Sequence, residues 1–181
     1  MVMIWVSFRK YLGYNQKEKG VLKMQSYRFS DNVEENYKLM VQTVQGYLHG
    51  EPNVIANLAN AAAIINEYVN DINWVGFYLM EDDELVLGPF QGKPACIRIP
   101  VGRGVCGTTA LKRETVIVED VHAFPGHIAC DSASNSEIVI PIFKDDEVYG
   151  VLDVDSPVFN RFGRLEKQYL ETVVKIIQGC L

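Results

Sequence analysis

A single change of hydrophobic period, at Trp74, constrains the fold of this 181-residue chain more than any other feature. Before it, apolar residues recur at helical spacing and predict two helices, over residues 34–48 and 54–69. After it, short segments between turn residues predict strands. Those strands cover 74–80, 84–88, 95–99, 115–118, 137–143 and 147–154, with a short helix over 105–112 and a closing amphipathic helix over 164–178. This order indicates one α+β domain, with helices packed on a largely antiparallel sheet of about six strands.

The residues before the first two helices are typical of helix caps. Asn32 or Asp31 is placed to cap the first helix. Before the second, Pro52 suits a first-turn position and Asn53 is an alternative cap. Residues 1–24 show no clear helical period and no strand pair. We expect them to be an N-terminal extension, either a disordered arm or a stretch upstream of a start at Met24, and residues 25–181 to form the domain.

Charge and hydropathy argue against several classes of partner. The net charge of −6 disfavours nucleic acid, whose phosphates favour a basic surface. No apolar run reaches the roughly eighteen residues that span a bilayer, so no membrane association is expected. The apolar start lacks a preceding basic region, so we expect no signal peptide. Four cysteines in a chain of this length are not a disulfide scaffold, and we expect a cytoplasmic protein with reduced thiols.

Three mid-chain cysteines indicate thiol redox chemistry. Cys96 falls in the predicted strand 95–99, where alternation turns it away from the apolar side. Cys106 opens the short helix, whose unpaired N–H groups and dipole favour a thiolate or a substrate carboxylate. Cys130 lies in a polar loop, where the nearby His127 would help to ionise it. At each position an incidental or packed thiol is the alternative. The spacings contain no metal-binding pair such as CxxC, so no metal site is expected.

Three acidic residues are predicted to meet on one face of the last hairpin. Alternation puts Asp153 and Asp155 on the same face. A turn over 144–146 places Glu137 opposite Asp153, and a turn over 145–147 places it opposite Asp155. A turn of two or four residues would send Glu137 to the other face. Clustered carboxylates repel one another, which suits a site that binds an ammonium group and donates a proton. The alternative is that these acids end their strands in solvent.

Two aromatic residues accompany the acids. Trp74 and Tyr78 share one face of the first predicted strand. They either wall an apolar pocket or belong to the core.

Five segments together resemble the free methionine-(R)-sulfoxide reductases, which are stand-alone GAF-domain enzymes. The segments are DINWVGFYL (71–79), LGPFQGKPAC (87–96), RIPVGRGVCG (98–107), GHIACDSASNSE (126–137) and GVLDVDS (150–156). The resemblance extends from about Ser26 to the C-terminus. It implies a GAF-like fold and reduction of free L-methionine (R)-sulfoxide to methionine, without a bound cofactor.

The resemblance also suggests roles for the residues. Glu137, Asp153 and Asp155 would hold the substrate ammonium and help to protonate the sulfoxide oxygen. Trp74 and Tyr78 would border the methyl and sulfur end. We further expect the backbone around Gly104, Val105 and Cys106 to receive the carboxylate. Cys130 is predicted to be the nucleophile and Cys96 the resolving thiol, with Cys106 able to replace either. A sulfenic acid and an intramolecular disulfide would form, and thioredoxin would reduce the disulfide.

The main alternative is a GAF domain that senses a small molecule without catalysis. Its cysteines would then act, if at all, as a redox switch. Turnover of free methionine sulfoxide with a thiol reductant separates the two readings. The resemblance further suggests a homodimer.

Overall fold

The computed structural model describes residues 30–126 and 132–181. The proposed extension, residues 1–24, lies outside the described residues and stays a prediction. The helices are α1 (Val33–Leu48), α2 (Val54–Tyr68), α3 (Gly104–Lys112) and α4 (Arg164–Gln178). The strands are β1 (Trp74–Glu81), β2 (Glu84–Gln91), β3 (Arg98–Pro100), β4 (Val116–Val118), β5 (Ser136–Lys144) and β6 (Glu147–Ser156). The predicted α+β architecture is confirmed.

Asparagine side chains begin the first two helices. Asn32 accepts hydrogen bonds from the backbone N–H groups of Glu34 and Glu35 at the start of α1. Asn53 accepts one from Ala56 at the start of α2, and Pro52 lies before this cap. These bonds satisfy N–H groups that have no partner within the helix. Within the described ranges, no helix is long and apolar enough to cross a membrane.

The six strands form one antiparallel sheet in the order β3-β2-β1-β6-β5-β4. Helices α2 and α4 pack on one face, which we call the helix face, and α1 packs against these two helices. Helix α3 packs on the opposite face against β5, β6 and β3. That second face, which we call the site face, has a smaller buried cluster that includes Trp74, Tyr78 and Cys106. Alternation along each central strand therefore supplies both a core and a separate site surface.

The predicted strand over 95–99 is wrong in its first half. Strand β3 begins only at Arg98. In a continuous strand Ile97 and Ile99 would share the apolar side, but Ile97 is 71% exposed and Ile99 is 4% exposed. Gly92, at φ +136°, and Pro94 interrupt the extended chain before this segment. The face predicted for Cys96 from strand alternation therefore has no basis in the fold.

Candidate active site

The site face collects the predicted acids and aromatic residues from three neighbouring strands. Strand β1 contributes Trp74 and Tyr78, β5 contributes Glu137, and β6 contributes Asp153. All four side chains are almost completely buried. Cys106 comes from the first turn of α3, which packs over this part of the sheet. The central strands and α3 thus bring together groups that are far apart in the sequence.

The turn between β5 and β6 differs from both predicted three-residue turns. It has two residues, Asp145 and Asp146, with φ of 50° and 62°. Two consecutive positive φ angles are typical of the type I′ turn that suits a two-residue hairpin. Lys144 and Glu147 pair directly across it. Continued without interruption, this register would turn Glu137 to the helix face.

A register shift between Ile142 and Phe143 prevents that outcome. A β-bulge adds one residue to one strand and reverses the alternation beyond it. As a result Glu137 pairs with Asp155 and lies on the same side of the sheet as Asp153. The predicted acidic cluster is present, although the turn length from which it was inferred is wrong.

Glu137, Asp153 and Cys106 form a tight buried group. The Cys106 thiol donates a hydrogen bond to Glu137 Oε1 at 3.9 Å. One ligand atom from each of the three residues lies within 4.8 Å of the others, so the group could hold a metal ion. Among the described residues, Asp153 Oδ1 is buried without a hydrogen-bond partner. An unpartnered buried oxygen is costly, and a ligand cation at this point would offset that cost. Asp155 is half-buried beside the group.

Burial and mutual repulsion favour the protonated acids. Burial raises the pKa of Asp153 to about 6 from an ordinary value of 3.8. The pKa of Glu137 lies well above its ordinary value, first through burial and then through the neighbouring Asp153 and Asp155 carboxylates. Two carboxyl groups this close cannot both lose their protons easily. The pair is therefore suited to hold a proton near neutral pH and deliver it to a bound group.

The expectation that the helix N-terminus lowers the pKa of Cys106 is wrong. Burial raises the pKa of this thiol, and the Asp153 and Glu137 carboxyl groups raise it further. These local effects oppose the helix dipole, which falls off within one turn. Cys106 is a free, buried thiol, and its surroundings favour the neutral S–H form.

Among the described residues, the backbone N–H groups of Gly104, Val105 and Cys106 at the start of α3 have no hydrogen-bond partner. The first N–H of α3 that bonds inside the helix is that of Gly107, which donates to Arg103 at 3.0 Å. Gly104 and Val105 precede it and are buried in the first turn. Within the described part of the chain, Arg103 provides no side-chain cap. Helix N-termini of this kind favour anions.

Trp74 and Tyr78 form an aromatic wall next to the acids. Their rings stack at 5.9 Å between centroids, and Phe90 stacks on the other side of Trp74 at 5.4 Å. Phe90 was not predicted to belong to the site, because the second strand was predicted to end at Gly88. Strand β2 instead continues to Gln91, and a register shift against β1 accommodates the proline. Prolines inside sheets are found at such irregularities.

Of the other two predicted cysteines, Cys96 lies among the described residues and Cys130 does not. Cys96 is half-buried in the segment before β3 and packs against the site-face cluster. It is disulfide-bonded. Cys130 and His127 lie outside the described residues. After them, the Asn135 N–H donates a hydrogen bond to the Ser156 carbonyl at the end of β6, 2.7 Å away.

Comparisons with known proteins agree with this geometry. Residues 34–180 match the GAF domain family. The chain is 51% identical over 150 residues to the free methionine-R-sulfoxide reductase of Escherichia coli. The aligned residues cover 83% of this chain and 91% of that protein. The reductase of the same name from Saccharomyces cerevisiae is 42% identical, over 86% of this chain and 92% of its own. A structure of the Neisseria meningitidis reductase in complex with its substrate is 43% identical, with a TM-score of 0.82, over 86% and 94% of the two chains.

Proposed function

We propose a mechanism for this chain, which belongs to the GAF domain family and within it to the free methionine-R-sulfoxide reductases. One of its cysteines takes the sulfoxide oxygen, and a second cysteine forms a disulfide with the first. The protein is an oxidoreductase that reduces free methionine (R)-sulfoxide. The buried Glu137–Asp153 pair beside the Trp74–Tyr78 wall carries the proposal. It offers a binding site for an ammonium group, and it can donate a proton to a group bound next to an apolar surface.

The three parts of the substrate each have a matching group. The ammonium would lie among Glu137, Asp153 and Asp155, where the unpartnered Asp153 oxygen accepts a hydrogen bond from it. The methyl and sulfur end would lie against Trp74 and Tyr78. The carboxylate would bind the open N–H groups of the first turn of α3, at Gly104, Val105 and Cys106.

The reaction begins with a cysteine thiolate attacking the sulfoxide sulfur. We assign Cys130 as this nucleophile. The S–O bond breaks as the oxygen moves to the cysteine, and a proton from the Glu137–Asp153 pair stabilises the oxygen as charge develops on it. Methionine leaves and Cys130 carries a sulfenic acid. The neutral S–H form of Cys106 argues against Cys106 as the attacking thiol.

The second step converts the sulfenic acid into a disulfide. We assign Cys96 as the resolving thiol, which attacks the sulfenic sulfur and expels water to form a disulfide. The disulfide bond of Cys96 and the free thiols of Cys106 and Cys180 support this assignment. A dithiol reductant of the thioredoxin type would then reduce the disulfide and itself be oxidised. This cycle uses no bound cofactor. A homodimer stays a prediction of the family resemblance, and a cytoplasmic location stays a prediction from the cysteines and the apolar start of the sequence.

Single Cys→Ser variants treated with substrate and no reductant test these assignments. Wild-type protein should yield one methionine per chain and a disulfide by mass spectrometry. Cys96→Ser should yield one methionine and a trapped sulfenic acid, and Cys130→Ser should yield none. Cys180→Ser is the matched control and should behave as wild type. One methionine per chain from Cys130→Ser would contradict the assigned nucleophile. Folded wild-type protein that forms no methionine would favour a non-catalytic sensor.

A further inference from the structure

Both residues of the aromatic wall also hold the segment that carries Cys96. The Tyr78 hydroxyl donates a hydrogen bond to the Cys96 carbonyl at 3.1 Å. The Trp74 indole N–H donates to the Lys93 carbonyl at 3.0 Å. The two acceptors lie three residues apart in a stretch without regular secondary structure, just before β3. One face of β1 therefore touches the proposed substrate pocket and the backbone of the proposed resolving cysteine at once.

The Trp74 ring is held firmly enough to act as an anchor. It is 3% exposed and stacks on Phe90. Two glycines leave space for it: a Cβ at Gly76 would lie 2.5 Å from the indole, and so would a Cβ at Gly92. Any side chain at either position would displace the ring or the backbone. Gly92 adopts φ +136°, which L side chains rarely do, directly before the held segment.

Tyr78 is equally well placed as a donor. Its side chain is 1% exposed. Burial raises the pKa of its hydroxyl, and the nearby Asp153 carboxylate raises it further. The hydroxyl therefore keeps its proton at neutral pH and can donate the hydrogen bond to the Cys96 carbonyl.

We propose that Tyr78 and Trp74 are positioning residues for Cys96, whose backbone they hold at the pocket so that its thiol meets the sulfenic acid as soon as methionine leaves. This inference rests on the proposed function. Reduction of the disulfide removes the covalent restraint on Cys96, and the two hydrogen bonds then keep its carbonyl and that of Lys93 in place. Holding two reacting groups together raises their effective concentration and so speeds the condensation.

The test measures how the oxidised enzyme partitions after a single turnover without reductant. The readout is the ratio of sulfenic acid, trapped with dimedone, to disulfide, per methionine formed. Tyr78→Phe keeps the aromatic ring and removes the hydroxyl, and Trp74→Phe keeps a ring on Phe90 and removes the indole N–H. Each should slow disulfide formation roughly three- to tenfold, the scale of one lost buried hydrogen bond, and raise the trapped fraction accordingly. Cys96→Ser sets the upper limit of that fraction.

Tyr68→Phe is the matched control. Its hydroxyl is also buried but bonds to Thr43 on the helix face. It should keep the wild-type ratio, since a general loss of packing lowers the methionine yield without changing how each sulfenic acid is consumed. Wild-type ratios in both Tyr78→Phe and Trp74→Phe, with normal conversion by wild-type protein, would overturn this inference alone. Absence of methionine from wild-type protein would overturn the proposed function and this inference with it.

Discussion

The two faces of the sheet are made by alternate residues of the same strands, but they bury different chemistry. On the helix face Val75, Phe77 and Leu152 are fully buried among the side chains of three helices. On the site face Glu137 and Asp153 are nearly as buried, at 5% and 6% exposure. Burial of apolar groups stabilises the fold, whereas burial of neighbouring acids opposes it. The helix face thus stabilises a fold whose other face is arranged for binding and proton transfer at some cost in stability.

The largest effect on stability is expected on the helix face. Phe77→Ala should lower the free energy of unfolding by about 3–5 kcal/mol, because it leaves a cavity between the sheet and its helices. Urea denaturation measures the change through the midpoint and slope. The folded fraction should still reduce free methionine sulfoxide at nearly the wild-type rate. A variant with wild-type stability and no activity would show that the two faces are not separate in function.

The opposite sign is expected on the site face. Asp153→Asn removes a buried charge and should raise the free energy of unfolding at pH 7, while methionine formation is lost with the ammonium seat. In the wild type, the folded-state pKa of Asp153 is about 6 against 3.8. The folded state therefore binds its proton more tightly, so this group costs stability as pH rises from about 4 to about 6, and no more above that range.

The size of this gain follows from the pKa difference and is on the order of 2–3 kcal/mol above pH 6. It should vanish below about pH 4, where Asp153 is protonated in both the folded and the unfolded wild type. Urea denaturation of both proteins at several pH values checks this. Because Asp153 also raises the pKa of Glu137, the difference reports the coupled pair and not Asp153 alone. A variant that is less stable than wild type at pH 7 would show that the Asp153 carboxylate is already compensated.

Much of the fold could be predicted from local pattern. The closing helix was predicted over residues 164–178, which are the residues it occupies, because its apolar stripe has a clear helical period. The placement of Asp153 and Asp155 on one face needed only strand alternation. The position of Glu137 on that same face did not follow from the turn length. The two-residue turn alone would put Glu137 on the other face, and the one-residue bulge in the hairpin reverses that effect. A bulge depends on packing across strands, and the sequence pattern holds no sign of it.

The least predictable parts of the site depend on distant contacts. The path of residues 93–96 depends on hydrogen bonds to Trp74 and Tyr78, which lie on another strand. The pKa of Cys106 depends on its burial by the sheet and on acids about 30 and 47 residues further along the chain, rather than on its own helix. Local sequence gives the chemical type of these groups but not their surroundings.

The smallest expected effect on stability is at the N-termini of the helices, where capping differs between the helix face and the site face. Asn53→Ala removes the hydrogen bond to the Ala56 N–H at 2.9 Å and should lower the free energy of unfolding by about 1 kcal/mol. Its KM for methionine sulfoxide should stay at the wild-type value, since α2 belongs to the helix face. Helix α3 starts after Arg103 without such a cap.

The matched change at α3 is Arg103→Asp, which adds a capping carboxylate where the substrate carboxylate is proposed to bind. It should leave stability equal or raised by up to about 1 kcal/mol. At the same time it should raise KM several-fold, because the new side chain occupies the same N–H groups and repels the ligand. Steady-state kinetics and urea denaturation on both variants give the comparison. A raised KM in Asn53→Ala, or an unchanged KM in Arg103→Asp, would mean that the open start of α3 does not serve the substrate.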